Sequence, residues 1–160
     1  MTVSIGDKIP EATLIEMTAD GPVKRTTSEI FGGRKVVLFS VPGAFTPTCS
    51  AKHLPGFVSH AAAFKEKGVD EIVCIAVNDA FVMGAWGKDQ NAEGKVTLLA
   101  DGNAEFTRAL GLEMDASGYG MGLRGQRFAM IVEDGVIKQL NVEAPGEFRV
   151  SSAEHVLSQL

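Results

Sequence analysis

The chain has 160 residues, an ordinary globular composition and a formal charge of −5. That length suits one domain over residues 1–160, with enough chain to bury a real core. The acidic balance argues against a general nucleic-acid binder, and the basic residues come in pairs such as Lys24-Arg25 and Arg34-Lys35, not in tracts.

The first residues, Met1-Thr2-Val3-Ser4-Ile5-Gly6-Asp7, lack the basic-then-apolar pattern of a secretory signal. No apolar run approaches the length of a membrane span, so the expected setting is the cytoplasm, without membrane contact, although a trimmed organellar protein would look the same. Thr13–Met17 and Val23–Thr26 flank Asp20-Gly21-Pro22 and read as an N-terminal hairpin. Ser28–Phe31 reads as one helical turn, and Arg34–Val41 as a buried strand rich in β-branched and aromatic residues. Thr46 is a good N-cap, which puts Pro47 at N1 and Cys49 at N3. The helix is expected to run to about Lys67 and stop at Gly68, bent at Pro55.

Ile72–Val77 follows as a second buried strand. Asn78 or Asp79 then caps a helix whose expected inner face carries Phe81, Val82 and Trp86. Val96–Leu99 is a third strand, and Asp101-Gly102-Asn103 turns into a short helix ending near Gly111. Residues 115–125 are glycine-rich and read as a loop. They match neither the P-loop nor the dinucleotide fingerprint. Phe128–Glu133, Asp134-Gly135 and Val136–Leu140 form a strong hairpin signal, and Ser151 or Ser152 caps a last helix. The order describes an α/β layout around a mixed sheet closed by an antiparallel pair.

Chemistry concentrates at Cys49. A cysteine where a strand turns into a helix feels the helix N-terminus, which favours the reactive thiolate. Thr46 lies three residues earlier and can bond toward the sulfur or hold a substrate oxygen. Pro42 and Pro47 stiffen the turn, and Gly43 lets a ligand approach the backbone. Spacing alone leaves two readings of Cys49 open, a nucleophile or a small apolar residue. His53, one helical turn on, reads as a packing or capping residue in preference to a base. Arg127 stands at a strand entrance and has the donors to hold a thiolate and an oxygen. Its spacing alone favours a surface arginine, as for Arg124. Two cysteines and three histidines form no metal-site pattern, so neither metal nor cofactor is expected.

The segment Pro42-Gly43-Ala44-Phe45-Thr46-Pro47-Thr48-Cys49 resembles the peroxiredoxin signature P-x-x-x-T-x-x-C. Its continuation Ser50-Ala51-Lys52-His53-Leu54-Pro55-Gly56-Phe57, together with Val77–Met83, Leu98–Asp101 and Arg127–Gly135, resembles the type II/type V group. The resemblance implies a thioredoxin-like three-layer fold with a central mixed β-sheet and an N-terminal hairpin extension. It also implies reduction of hydrogen peroxide and alkyl hydroperoxides. By position Cys49 matches the peroxidatic cysteine, Thr46 the threonine that orients the peroxide and Arg127 the arginine that polarises it. Pro42 then shields the site, and the Gly43 and Cys49 amides donate to peroxide oxygens. A homodimer is implied as well, built around the helix that starts at Cys49 and loops such as 115–125.

The chain departs from the group in one respect. Some type V members have a resolving cysteine near the C-terminus, where this chain has Val150-Ser151-Ser152. Type II plant-like members have a cysteine at the place of Cys74, and some are proposed to use it; here it lies mid-strand and reads as a core residue. The expected cycle therefore uses one cysteine, with glutathione, glutaredoxin or thioredoxin as the external reductant. Resemblance to the plant-like members favours glutathione and glutaredoxin. A dithiol oxidoreductase is disfavoured because Thr46 stands where C-x-x-C would have its first cysteine. A peroxide sensor or holdase would share the same chemistry.

Overall fold

The computed structural model describes residues 1–160 and builds nine strands and six α-helices. The hairpin β1 (Thr13–Thr18) and β2 (Gly21–Thr26) leads into the short helix α1 (Thr27–Phe31), and then into β3 (Lys35–Ser40). A single π-helical turn, Cys49–His53, precedes α2 (Leu54–Ser59) and α3 (Ala61–Glu66). Next come β4 (Glu71–Ala76), α4 (Ala80–Asp89), β5 (Thr97–Ala100) and α5 (Glu105–Leu110). The chain closes with β6 (Glu113–Asp115), β7 (Leu123–Gly125), β8 (Phe128–Glu133), β9 (Val136–Val142) and α6 (Ala153–Ser158).

Seven strands form one mixed sheet in the order β2-β1-β5-β4-β3-β8-β9. β3, β4 and β5 are parallel, and each parallel step is made through helices, as such crossovers require. β8 runs antiparallel beside β3, and the N-terminal hairpin joins the opposite edge through β1 and β5. The β8–β9 turn has Asp134 at φ 47° and Gly135 at φ 74°, the double left-handed geometry of a tight hairpin. Asp79 and Ser152 cap α4 and α6 through the N–H groups of Val82 and His155.

Alternation along β3 divides the core in two. Val37 and Phe39 face a layer that holds Leu54, Phe57, Phe64 and Trp86, whereas Val36 and Leu38 face Phe31, Phe106 and Leu110. Cys49 and Cys74 both belong to the first layer and are fully buried. At the far end of the sheet, Glu71 receives Arg25, Arg34 and the Thr97 hydroxyl, and Arg25 also reaches Glu16. This clasp ties the hairpin edge to the central strands.

Three sequence expectations need correction. The helix after Thr46 does not run unbroken to Lys67. Pro55 has no N–H, and its ring would clash with the carbonyl four residues back. The chain inserts an extra residue instead, so the Leu54 N–H bonds the Cys49 carbonyl five positions earlier. A second break falls at His60, whose ring bonds the Gly56 carbonyl at 2.8 Å. The glycine-rich residues 115–125 are not a plain loop, because β6 and β7 pair across them with Asp115 opposite Leu123. Finally, α4 turns Ala80, Met83 and Trp86 inward, and Phe81 is 69% exposed. A face repeats every three or four residues, so adjacent Phe81 and Val82 cannot both share it with Trp86.

Candidate active site

The site lies where β3 ends and the π-turn begins. The Ala44 N–H bonds the Asn78 side-chain oxygen at 2.9 Å, which ties this junction to the end of β4. Phe45 follows in a left-handed conformation, φ 63°, which is a strained choice for an aromatic residue and reverses the chain sharply. The Thr46 carbonyl accepts from the Ser50 N–H, so the helix starts at Pro47 as its N1 position requires. The Thr46 hydroxyl does not cap that helix. It donates to the Gly43 carbonyl at 2.7 Å, and only its lone pairs remain for another group.

Arg127 comes from a distant part of the chain. β8 runs antiparallel to β3 with Phe128 opposite Ser40, so the residue before β8 sits beside the end of β3. Its Nη2 donates to Cys49 Sγ at 3.1 Å, and its Nη1 lies 2.8 Å from His53 Nδ1. Arginine can only donate, so Nδ1 is the bare nitrogen of the imidazole. His53 Nε2 therefore has the hydrogen and donates it to the Ser151 carbonyl at 2.9 Å. Burial lowers the His53 pKa from 6.5 to about 3, and the Arg127 charge adds to this. The Ser151 carbonyl and the Glu143 charge offset it only in part. His53 is thus a neutral acceptor that holds the guanidinium against the sulfur. This is a more specific role than the packing or capping expected of it.

Two backbone donors complete the cluster. Neither the Gly43 N–H nor the Cys49 N–H has an acceptor within the protein. Gly43 is buried beneath Arg124 and Met121, and a Cβ there would sit 2.8 Å from Arg124 Nη1. Arg124 was expected at the surface. It is half-buried instead, and donates to the Pro42 carbonyl at 3.2 Å and the Met121 carbonyl at 3.0 Å. Pro42 therefore lines the rim of the cluster together with Arg124. Trp86 Nε1 donates to Ser50 Oγ at 3.0 Å and pins the residue after Cys49 to α4.

Cys74 stands apart from this chemistry. It sits mid-strand in β4, fully buried, and burial pushes its thiol pKa well up. The Cys49 charge adds to that, against a smaller opposing effect of Arg127.

The redoxin family model matches residues 4–157. Peroxiredoxin-2B of Arabidopsis thaliana is 46% identical, over 99% of this chain and 98% of its own. The chain belongs to the peroxiredoxins. Chloroplastic Peroxiredoxin-2E-2 of Oryza sativa subsp. japonica is 54% identical, over 99% of this chain and 73% of its own. Among solved structures, reduced Prx3 of Vibrio vulnificus in complex with H2O2 superposes with a TM-score of 0.95. It is 56% identical and matches over 99% of both chains. The fold is therefore thioredoxin-like, and as a peroxiredoxin the protein is a thiol-dependent peroxidase. Its substrates are peroxides and its reductants thiols.

Asn78, Arg124 and Ser50 are site-supporting residues that the sequence reading missed. Asn78 had one available signal, an amide side chain at the end of a strand beside the proposed nucleophile loop. Arg124 and Ser50 had none.

Proposed function

We propose that Cys49 is the peroxidatic nucleophile, with Thr46 and Arg127 as its catalytic partners. The observation that carries this reading is the Arg127 guanidinium bonded to Cys49 Sγ at 3.1 Å. The Cys49 thiolate attacks the hydroxyl-bearing oxygen of a peroxide, ROOH. A sulfur–oxygen bond forms as the O–O bond breaks, leaving Cys49 sulfenic acid and RO⁻, which takes a proton from water. Arg127 and the free Gly43 and Cys49 N–H groups stabilise the charge that develops on the leaving oxygen. The Thr46 hydroxyl already donates its hydrogen bond to the Gly43 carbonyl, so its oxygen accepts a hydrogen bond from the peroxide and orients it. Pro42 keeps water from the thiolate.

The sulfenic acid is the first, reversible oxidation step. In the one-cysteine cycle, a glutathione thiol attacks it, releases water and forms a mixed disulfide with Cys49. A second thiol, from glutathione or glutaredoxin, then restores the thiolate. The burial of Cys74 in a fixed strand supports this cycle over an internal disulfide. Thioredoxin is the competing reductant. A homodimer fits the exposed Phe45 beside the site and the exposed Tyr119 and Leu123 on the neighbouring β6–β7 hairpin.

The test is peroxide consumption by wild type, Cys49→Ser, Arg127→Ala and Cys74→Ser, each with glutathione/glutaredoxin and with thioredoxin. Cys49→Ser is expected to be inactive and Cys74→Ser fully active. Arg127→Ala should be slower by about two to three orders of magnitude, the scale of a lost transition-state donor. An active Cys49→Ser protein overturns the assignment. A rapid Cys49–Cys74 disulfide in mass spectra, with loss of turnover in Cys74→Ser, overturns the one-cysteine cycle. Sedimentation as a monomer at high concentration overturns the dimer.

A further inference from the structure

We propose that Glu143 is a remote positioning residue that sets Arg127 through the segment 144–151 and His53. The proposal rests on the roles assigned above to Cys49 and Arg127. Glu143 is a buried carboxylate just past the end of β9, far along the chain from Cys49. One of its oxygens, Oε2, receives four donors: the N–H groups of Arg149, Val150 and Ser151 at 2.8, 2.9 and 2.8 Å, and the Ser151 hydroxyl at 2.7 Å. A single atom thus gathers three consecutive amides and fixes the return of an otherwise exposed segment. The backbone N–H of the same residue bonds the Arg127 carbonyl at 3.0 Å, so Glu143 is anchored to the residue that it acts on.

Fixing that segment has two consequences at the site. It aims the Ser151 carbonyl at His53 Nε2, which selects the tautomer with a bare Nδ1 facing Arg127. It also seats the Phe148 ring 5.9 Å from the Arg127 guanidinium carbon and edge-on to His53, with centroids 5.0 Å apart. With the segment released, the His53 Nε2 hydrogen loses its acceptor, the ring is free to turn, and Nη1 of Arg127 loses its own acceptor. The guanidinium then no longer has one enforced place beside Cys49 Sγ. The carboxylate is suited to this role because four donors on one oxygen need the charge to hold them.

The experiment measures the second-order rate constant of reduced protein with hydrogen peroxide in a single turnover, at a temperature where circular dichroism shows each variant folded. Glu143→Ala is expected to lower it about tenfold, short of the roughly hundredfold that a misplacement of about 1 Å costs. Glu143→Gln keeps one acceptor oxygen and should lose about threefold, and it supplies the test should Glu143→Ala not fold. In a His53→Ala background the main route to Arg127 is gone. There, either Glu143 change should alter the rate less than about twofold, the non-additivity of residues acting in one line. An equal loss with and without His53 shows a general structural effect and overturns the proposal. So does a wild-type rate in Glu143→Ala while Arg127→Ala collapses. A wild-type rate in Arg127→Ala instead refutes the assignment of Arg127 on which the proposal stands.

Discussion

Thr46 shows how one hydrogen decides a role. Its hydroxyl proton is committed to the Gly43 carbonyl, so the oxygen faces a peroxide as an acceptor only. Thr46→Ser keeps that arrangement and should retain most of the activity. Thr46→Val removes the acceptor at nearly constant volume, and should slow the reaction with peroxide by about one to two orders of magnitude. Stopped-flow oxidation of Cys49 checks both, and a Val variant as fast as wild type would remove Thr46 from the mechanism. The meeting of Cys49 and Arg127 was legible through the family resemblance, because the motif around the first is local and the string after the second repeats a family pattern. His53 was not, because its partners lie 74 and 98 positions away and nothing local signals them. Arg124 reads as a surface residue for the same reason, since the carbonyl of Pro42 that it covers is 82 positions distant.

The π-turn is the element on which the proposed cycle depends. Cys49 is fully buried within it, so a tripeptide thiol cannot approach the sulfur in line without displacing the turn. Hydrogen exchange should therefore show the hydrogen-bonded amides of Ser50 and Leu54 strongly protected in the reduced protein and much less so once Cys49 carries glutathione. Amides of β4 should stay unchanged. Equal protection in the two forms would mean that the reductant enters a closed site. Caps and turns made most elements readable in advance: Asp79, Ser152, Gly68 and the Asp134-Gly135 pair mark ends where side-chain or left-handed geometry is required. The π-turn was visible only as a proline in a helix. Pro55 announces that something must give, and tertiary packing decides whether the helix bends, breaks or takes in an extra residue. The β6–β7 pair escaped notice because its strands are three residues each and glycine-rich between, too short for alternation to register.

The whole molecule couples its stability to the same site through pH. His53 is neutral in the folded protein, with a pKa lowered from 6.5 to about 3. Between those values the unfolded chain binds a proton that the folded chain refuses. The stabilisation is complete above about pH 6.5 and is lost as pH falls toward 3, at up to about 1.4 kcal/mol per pH unit. Two carboxylates work in the same direction at lower pH. Burial alone would raise Glu143 and Glu71, but the Ser151 and backbone donors hold the first down, and Arg25 and Thr97 lead in holding down the second. Denaturant unfolding from pH 7.5 to 4.5 should show this decline, and His53→Gln should flatten its upper part. A wild-type profile flat through this range would mean that His53 is protonated in the fold. The hydrogen bond from Trp86 to Ser50 has a bearing on all of these measurements. Trp86 is the only tryptophan in the chain, fully buried, and its indole N–H is tied to Ser50, the neighbour of Cys49. Opening the turn would free that N–H and wet the ring, so a red shift of the indole emission is the expected report of opening. The protein thus contains its own optical probe of that opening, read without a label.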